Sequence, residues 1–360
     1  MVSFAAGNTA AHIVVNKERT LMANYSCDAP STISRRRLIT LGTAAAGGFA
    51  GAAIAGCTMP GGGLSGPTRE GLDTASSTPL NGMQSFPADL QQEIEQIVQA
   101  KGAINYGLLQ IEIDRNDITD VTLRGRPVYP SFEINGDLNF QWLGGDKVAM
   151  NSDLCLKRAE VDPFIDRLIQ HNIIFQAEHQ HFYDYEPIVF FIHFRAIGEA
   201  RAVARGIKAA LNATSTPFPQ APPQNPKTRL PAQQIGEIVG AKPSVGAKGV
   251  VSLQVPRAEQ ILLGGIRVNP YLNISLPIAF EPMPDGRTAA VSDFGMVPPE
   301  IQRLVGHMRA RDWDIGCLYN QETDENPQLF FSHQFKAGDP IELARDIRSG
   351  LELLNVKLID

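Results

Sequence analysis

EHQHFYDYEPIVFFIHFRAIG occupies residues 178–198, and LYNQETDENPQLFFSHQFKAG occupies residues 318–338. Both segments carry a proline, then Phe-Phe-x-His, then a glycine in one register, and 140 residues separate His193 from His333. At that offset residues 111–211 align with 251–351 without a gap, and 20 of 101 positions are identical. The identities fall where backbone geometry is demanding: Gly125/Gly265, Pro130/Pro270, Ser152-Asp153/Ser292-Asp293, Pro187/Pro327, Phe190-Phe191/Phe330-Phe331, Gly198/Gly338 and Ala204-Arg205/Ala344-Arg345. Upstream, IEQIVQAKG pairs with IGEIVGAKP after a one-residue shift. So long a period excludes a solenoid and predicts two copies of one globular unit.

Both copies share a coarse pattern. LLQIEID (108–114) alternates apolar and polar residues, the period of a half-buried strand, and DVTLRGRPV (120–128) predicts a second. EINGDLNFQW (133–142) and KVAMNSDLCL (147–156) predict a hairpin around Gly144-Gly145. Asp162-Pro163 has the form of an N-cap and first turn, followed by the helical stripe Phe164, Ile165, Leu168 and Ile169. The twin offers Pro299, then Ile301, Leu304, Val305 and Met308. IIFQAEHQHF (173–182) and PIVFFIHFRA (187–196) follow as strands joined by a short turn, YDYE. A last helix begins after Gly198, and Asp339-Pro340 caps its twin. The order β-β-β-β-α-β-β-α predicts an α+β fold: two tandem pseudo-symmetric repeats, each a mainly antiparallel sheet with helices on one face. Its β-α-β-β-α portion resembles the ferredoxin-like arrangement.

The boundaries follow from composition. Residues 1–56 read as an export signal, 57–88 as a flexible tether, 89–211 as repeat 1, 212–230 as a Pro-rich linker and 231–360 as repeat 2. In the signal, SRRRLIT (34–40) sets Arg35 and Arg36 at the twin-arginine spacing, ahead of a Gly/Ala-rich run. That run ends in Ile54-Ala55-Gly56-Cys57, a lipobox. So much glycine and alanine gives little drive for a permanent membrane helix. The expectation is a lipoprotein exported by the twin-arginine route and anchored in the cell envelope by acyl chains on Cys57, facing the periplasm or cell exterior. Met22 offers a shorter and more usual start for such a signal.

The whole chain carries a net charge of −6 and is 43% hydrophobic, enough for one or two ordinary cores. Without residues 1–56 it has 27 Lys+Arg against 36 Asp+Glu, a charge of −9. Nucleic-acid binding is disfavoured, as is charge-driven adhesion to anionic lipid. Cys155 and Cys317 remain in that portion at non-equivalent repeat positions, and folding in a reducing compartment predicts two buried free thiols.

The chemistry concentrates in the first copy. Strand alternation puts His179 and His181 on one face, with His179 opposite Phe191 and His193 diagonal to it. Diagonal neighbours stand roughly 7–8 Å apart, near enough for three imidazoles to converge on one ion. Three imidazoles with an open position describe many zinc sites, and Glu186, Glu178 or Asp184 is the candidate carboxylate partner. The twin keeps only His333, with Tyr319 and Gln321 at the other stations, so the shared histidine reads as structural and the second copy as lacking a site. Ser152-Asp153 reads as a turn or cap. Asp114, Asn116, Asp117 and Asp120 lack the glycine and terminal glutamate of a calcium loop. Neither a Gly-rich phosphate loop nor a nucleophile elbow is present.

The signal, the H-x-H-F…E-P…F-F-x-H-F block and the helix GEARAVARGIKAAL together resemble the LppY/LpqO family of exported bacterial proteins, a duplicated domain of unknown function. The resemblance covers residues 90–355 and is most specific over 176–211; it implies architecture and location but no reaction. LytM-type zinc peptidases also need an upstream His-x-x-x-Asp, whereas His171 is followed by Asn-Ile-Ile-Phe. Two functions are therefore expected: an envelope module that binds a small ligand or envelope component or serves a structural role, or a zinc-dependent hydrolase working at His179, His181 and His193.

Overall fold

The computed structural model describes residues 83–221 and 227–359. Arg35, Arg36, Cys57 and most of the tether lie outside the described residues. The first repeat runs α1 (Ala88–Val98), β1 (Ala103–Asn105), β2 (Leu108–Asp114), β3 (Thr122–Leu123), β4 (Arg126–Pro127), β5 (Asn135–Gly144), β6 (Lys147–Lys157), α2 (Arg158–Gln170), β7 (Ile174–His179), β8 (Tyr185–Glu186), β9 (Val189–Glu199) and α3 (Ala200–Leu211). The second runs α4 (Ala232–Val239), β10 (Ser244–Val245), β11 (Val251–Val255), β12 (Leu262–Leu263), β13 (Ile266–Arg267), β14 (Leu276–Pro282), β15 (Thr288–Met296), α5 (Pro298–Arg309), β16 (Asp314–Ile315), β17 (Glu325–Asn326), β18 (Phe330–Gly338) and α6 (Pro340–Leu351).

The two main sheets have matching orders, β1-β2-β5-β6-β9-β7 and β10-β11-β14-β15-β18-β16. Their hydrogen-bonded neighbours are all antiparallel. Strand β9 lies between β6 and β7, which makes the split β-α-β unit of a ferredoxin-like portion. Phe190-Phe191 and Phe330-Phe331 open the equivalent strands β9 and β18. The fold is thus the expected pair of α+β repeats. Among the described residues no helix is long and apolar enough to cross a membrane.

Period-two alternation gives each sheet two distinct faces. Val148, Met150, Leu154 and Leu156 of β6, with Ile192, Phe194 and Ala196 of β9, join α1, α2 and α3 in one core. The second repeat builds the equivalent core from Ala290, Phe294 and Met296 of β15 beneath α4, α5 and α6. The other face of each sheet is covered jointly by its own repeat's small sheet and by the opposite repeat. Leu108 and Ala149 pack with Leu263, Val268 and Leu272, while Val291 and Phe335 pack with Leu123, Val128 and Phe132.

The exchange is reciprocal. Gln141 of β5 meets the Arg267 carbonyl at 3.2 Å and the Asn269 amide at 2.8 Å. Its 140-residue counterpart, Glu281 of β14, pairs with Arg126 of β4.

Four local expectations need correction. DVTLRGRPV does not join the main sheet; it folds back on itself as β3 and β4 and pairs with β8 in a three-stranded sheet. The reason is a two-residue turn at Arg124-Gly125, both at positive φ (54° and 74°), a conformation that matches hairpin twist. Helix α2 begins at Arg158, ahead of Asp162-Pro163, and Pro163 lies inside it. Its start is fixed by Glu160, which accepts from the Lys157 amide at 2.9 Å and pairs at 2.7 Å with fully buried Arg115. Ser152-Asp153 is no turn but the middle of β6. Helices α1 and α4 were not foreseen, although Leu90, Ile94 and Val98 recur at the i, i+4 spacing.

The ion pair at the start of α2 is repeated in the twin, where Arg257 bonds Glu300 at 2.7 Å. Removing one partner of a buried pair strands the other charge. Glu160→Ala and Glu300→Ala are each expected to cost about 3 kcal/mol in urea denaturation, the low end of the range because Asp117 and Glu259 still contact the arginines. A loss below about 1 kcal/mol in either variant, the size of a surface pair, would show that the arginine is not anchored this way.

Candidate metal centre

The inner faces of the two sheets carry the histidines. His179 ends β7 directly opposite Phe191 of β9, as alternation predicts. His181 stands two residues beyond, outside the strand. His193 lies within β9 opposite Asp153 of β6, and His333 within β18 opposite Asp293 of β15. Packing the sheets brings the two equivalent strands into one cluster. The His181 and His333 rings stack with centroids 3.5 Å apart, and Tyr319 stacks on His179 at 3.7 Å. His193 is 5.1 Å from His179, ring to ring.

Ligand-capable atoms of His179, His181 and His333 all lie within 4.8 Å of one another. That trio spans both repeats and differs from the expected one: His333 takes the place assigned to His193, which stands one ring further out. The second copy therefore does contribute. Gln321 is buried and accepts from the Tyr319 hydroxyl at 3.3 Å. Gly316 permits the close approach of the two repeats, because a Cβ there would collide with the His181 carbonyl.

The expected carboxylate partners are elsewhere. Glu178 and Glu186 are exposed, and Asp184 is exposed and bound to Arg124 at 2.8 Å. Buried Glu133 supplies the carboxylate instead, 2.6 Å from His181 Nδ1 and 3.2 Å from the Tyr185 hydroxyl. With Nδ1 turned to Glu133, Nε2 is the His181 nitrogen left to face an ion, the usual orienting role of a carboxylate behind a metal-binding imidazole. His333 Nδ1 faces Asp293 at 3.5 Å and Cys317 Sγ at 3.4 Å, which leaves its Nε2 in the same position. The two cysteines among the described residues are free; Cys155 is buried and Cys317 half-buried.

The electrostatics favour neutral rings. Desolvation, with the neighbouring imidazoles next, holds His179 and His333 well below the ordinary histidine value; desolvation does the same for His181 and takes His193 down to about 3. Neutral imidazoles are ready nitrogen donors. Among the described residues, neither ring nitrogen of His179 or His193 has a hydrogen-bond partner. Leaving such a buried group unpaired costs about 1–3 kcal/mol. The donor set therefore fits a borderline transition metal such as zinc better than calcium.

The chain belongs to the family described as Domain of Unknown Function (DUF1259), whose model matches residues 92–213 and again 233–353. No curated protein matches the chain. The two matched segments coincide with the two repeats, so one copy of the domain supplies His179, His181 and Glu133 while the other supplies His333 and Tyr319. A signal for His333 was present in the sequence. The Ser-Asp and Phe-Phe-x-His identities preserve one Asp–His cross-strand pair in both copies, and a pseudo-two-fold axis can bring such equivalent residues together.

Burial also pushes carboxyls up, Glu133 to about 8 and Glu322 to about 7. In an unfolded chain such groups ionise near about 4.3, so between pH 6.5 and 8.5 only the folded state loses these protons. Stability falls as pH rises through that window. These carboxyls, with Glu325 also pushed up to about 8, outweigh the histidines, which lose protons there only in the unfolded chain and so act in the opposite direction. The thermal midpoint of metal-free protein should be lower at pH 8.5 than at pH 6.5, and Glu133→Gln should flatten the slope. A midpoint that rises across the window in calorimetry would contradict the assignment.

Proposed function

We propose that this chain is an envelope-anchored metal-binding lipoprotein that holds one divalent transition-metal ion, most simply zinc, between its two repeats. The observation that carries the reading is the convergence of His179, His181 and His333 donor atoms within 4.8 Å. Neutral rings, the two unpartnered nitrogens of His179 and the Glu133 contact to His181 support it. None of the four histidines is more than 9% exposed, which favours holding an ion over hydrolysing a bulky substrate. The exported location rests on Arg35-Arg36, the lipobox at Cys57 and the likeness to the LppY/LpqO proteins.

Full-length protein purified without a histidine tag should contain about one transition-metal ion per chain by elemental mass analysis, as a three-imidazole site implies. His179→Ala/His333→Ala should abolish binding, whereas His193→Ala should retain it. Metal content that survives loss of His333 would overturn the shared site.

The anchor has its own test. Cys57→Ala should leave the precursor unprocessed by the lipoprotein peptidase, and wild-type protein recovered as a soluble, unacylated chain would refute the location.

A further inference from the structure

Four side chains stand in a straight row across the inner face of the first sheet. Glu112 of β2 is opposite Asp137 of β5, Asp137 is opposite Asp153 of β6, and Asp153 is opposite His193 of β9. Directly opposed residues on antiparallel strands have Cβ atoms about 4.5–5.5 Å apart, so each carboxyl is within reach of the next. Exposure falls along the row. Glu112 is exposed, Asp137 and Asp153 are half-buried, and His193 is 3% exposed. Strand β1 ends its pairing at Gln110, which leaves Glu112 open at the sheet edge.

Packing does not explain these acids. Like charges directly opposite one another destabilise a sheet. No ion pair joins Asp137 or Asp153 to a basic residue among the described residues. The twin provides an internal control: on the equivalent strands of the second sheet Pro277 takes the station of Asp137, and the residue opposite it is Gln254, not an acid. The fold thus forms without acids there. Only the inner pair, Asp293 and His333, is kept.

The inner end of the row is what points to a ligand. His193 is almost wholly buried, both of its ring nitrogens lack a partner among the described residues, and its ring is 5.1 Å from His179. Carboxylate oxygens give way to imidazole nitrogens from rim to interior, an order of increasing affinity for a borderline transition metal.

We propose that Glu112, Asp137, Asp153 and His193 form the path by which a divalent transition-metal ion travels between solvent and the buried centre. The proposal rests on the metal-centre reading of His179, His181 and His333. Residues of a path act on rates in both directions and leave the equilibrium where it was, whereas ligands shift the equilibrium itself.

The test is stopped-flow loading of metal-stripped full-length protein with cobalt(II), followed by the visible absorption of imidazole-bound cobalt. Asp137→Asn/Asp153→Asn should load about tenfold more slowly, because an ion in transit loses the carboxylates that hand it on between rim and centre. Release to a chelator should slow by the same factor, with final stoichiometry and spectrum unchanged. Asp166→Asn, on the exposed side of α2, should load as wild type does. Should the double variant fail to fold, Glu112→Gln at the exposed rim carries the same expectation of slower loading and release. Wild-type rates in these variants would overturn the path, and so would a changed final spectrum or affinity, which would make the acids ligands. Wild-type protein that takes up no cobalt would overturn the metal centre, and the path with it.

Discussion

Each sheet has helices on one face only, and the second face must be covered by something other than water. In this chain the cover is each copy's own small sheet together with the other repeat. Leu263, Val268 and Leu272 lie against Leu108 and Ala149 of the first repeat, and Leu123, Val128 and Phe132 lie against Val291 and Phe335 of the second. Gln141 and Glu281, equivalent by the duplication, each receive the small sheet of the opposite copy. Each repeat's small sheet covers only part of its own inner face, Leu123 and Val128 packing with Phe191 and Leu263 and Val268 with Phe331, and the other repeat adds the rest of the apolar cover. Side chains at the centre of those faces, such as His193 and His333, are therefore carried into the interior.

That constraint explains the electrostatics of the centre. Imidazoles and carboxyls on an inner face lose water when the repeats close, so the histidines are held neutral and Glu133 is pushed up to about 8. Desolvation of this kind opposes folding unless the groups find partners. Glu133 partners both His181 and Tyr185, and His333 has Asp293 and Cys317 nearby. His179 has ring stacking from Tyr319 but, among the described residues, no hydrogen bond at either nitrogen. A bound cation would satisfy that residue and offset part of the cost of burying its neighbours.

The architecture was legible because it is encoded locally and twice. The Gly144-Gly145 hairpin, the place of His179 opposite Phe191 and the gap-free alignment all come from short-range pattern, and the fold contains each of them. The centre was only partly legible. His181 and His333 stack at 3.5 Å although 152 residues separate them, and no periodicity within one repeat encodes that contact. Proximity in sequence was misleading for the carboxylates as well. Asp184 is near the histidines in the chain but turns outward to Arg124, whereas Glu133 reaches His181 from 48 residues away. His333, which reads as structural within its own repeat, gains its place beside His179 and His181 only when the two repeats pack together.

The central claim is that one metal centre is built by both copies of a duplicated domain. Anomalous diffraction from crystals of metal-loaded, untagged protein, recorded on both sides of the absorption edge of the bound metal, tests it most directly. The expected map has one strong peak per chain, about 2.0–2.1 Å from nitrogens of His179, His181 and His333, the distance of zinc–imidazole bonds. A peak bound only by first-repeat residues, or one lying away from the histidines, would contradict the account.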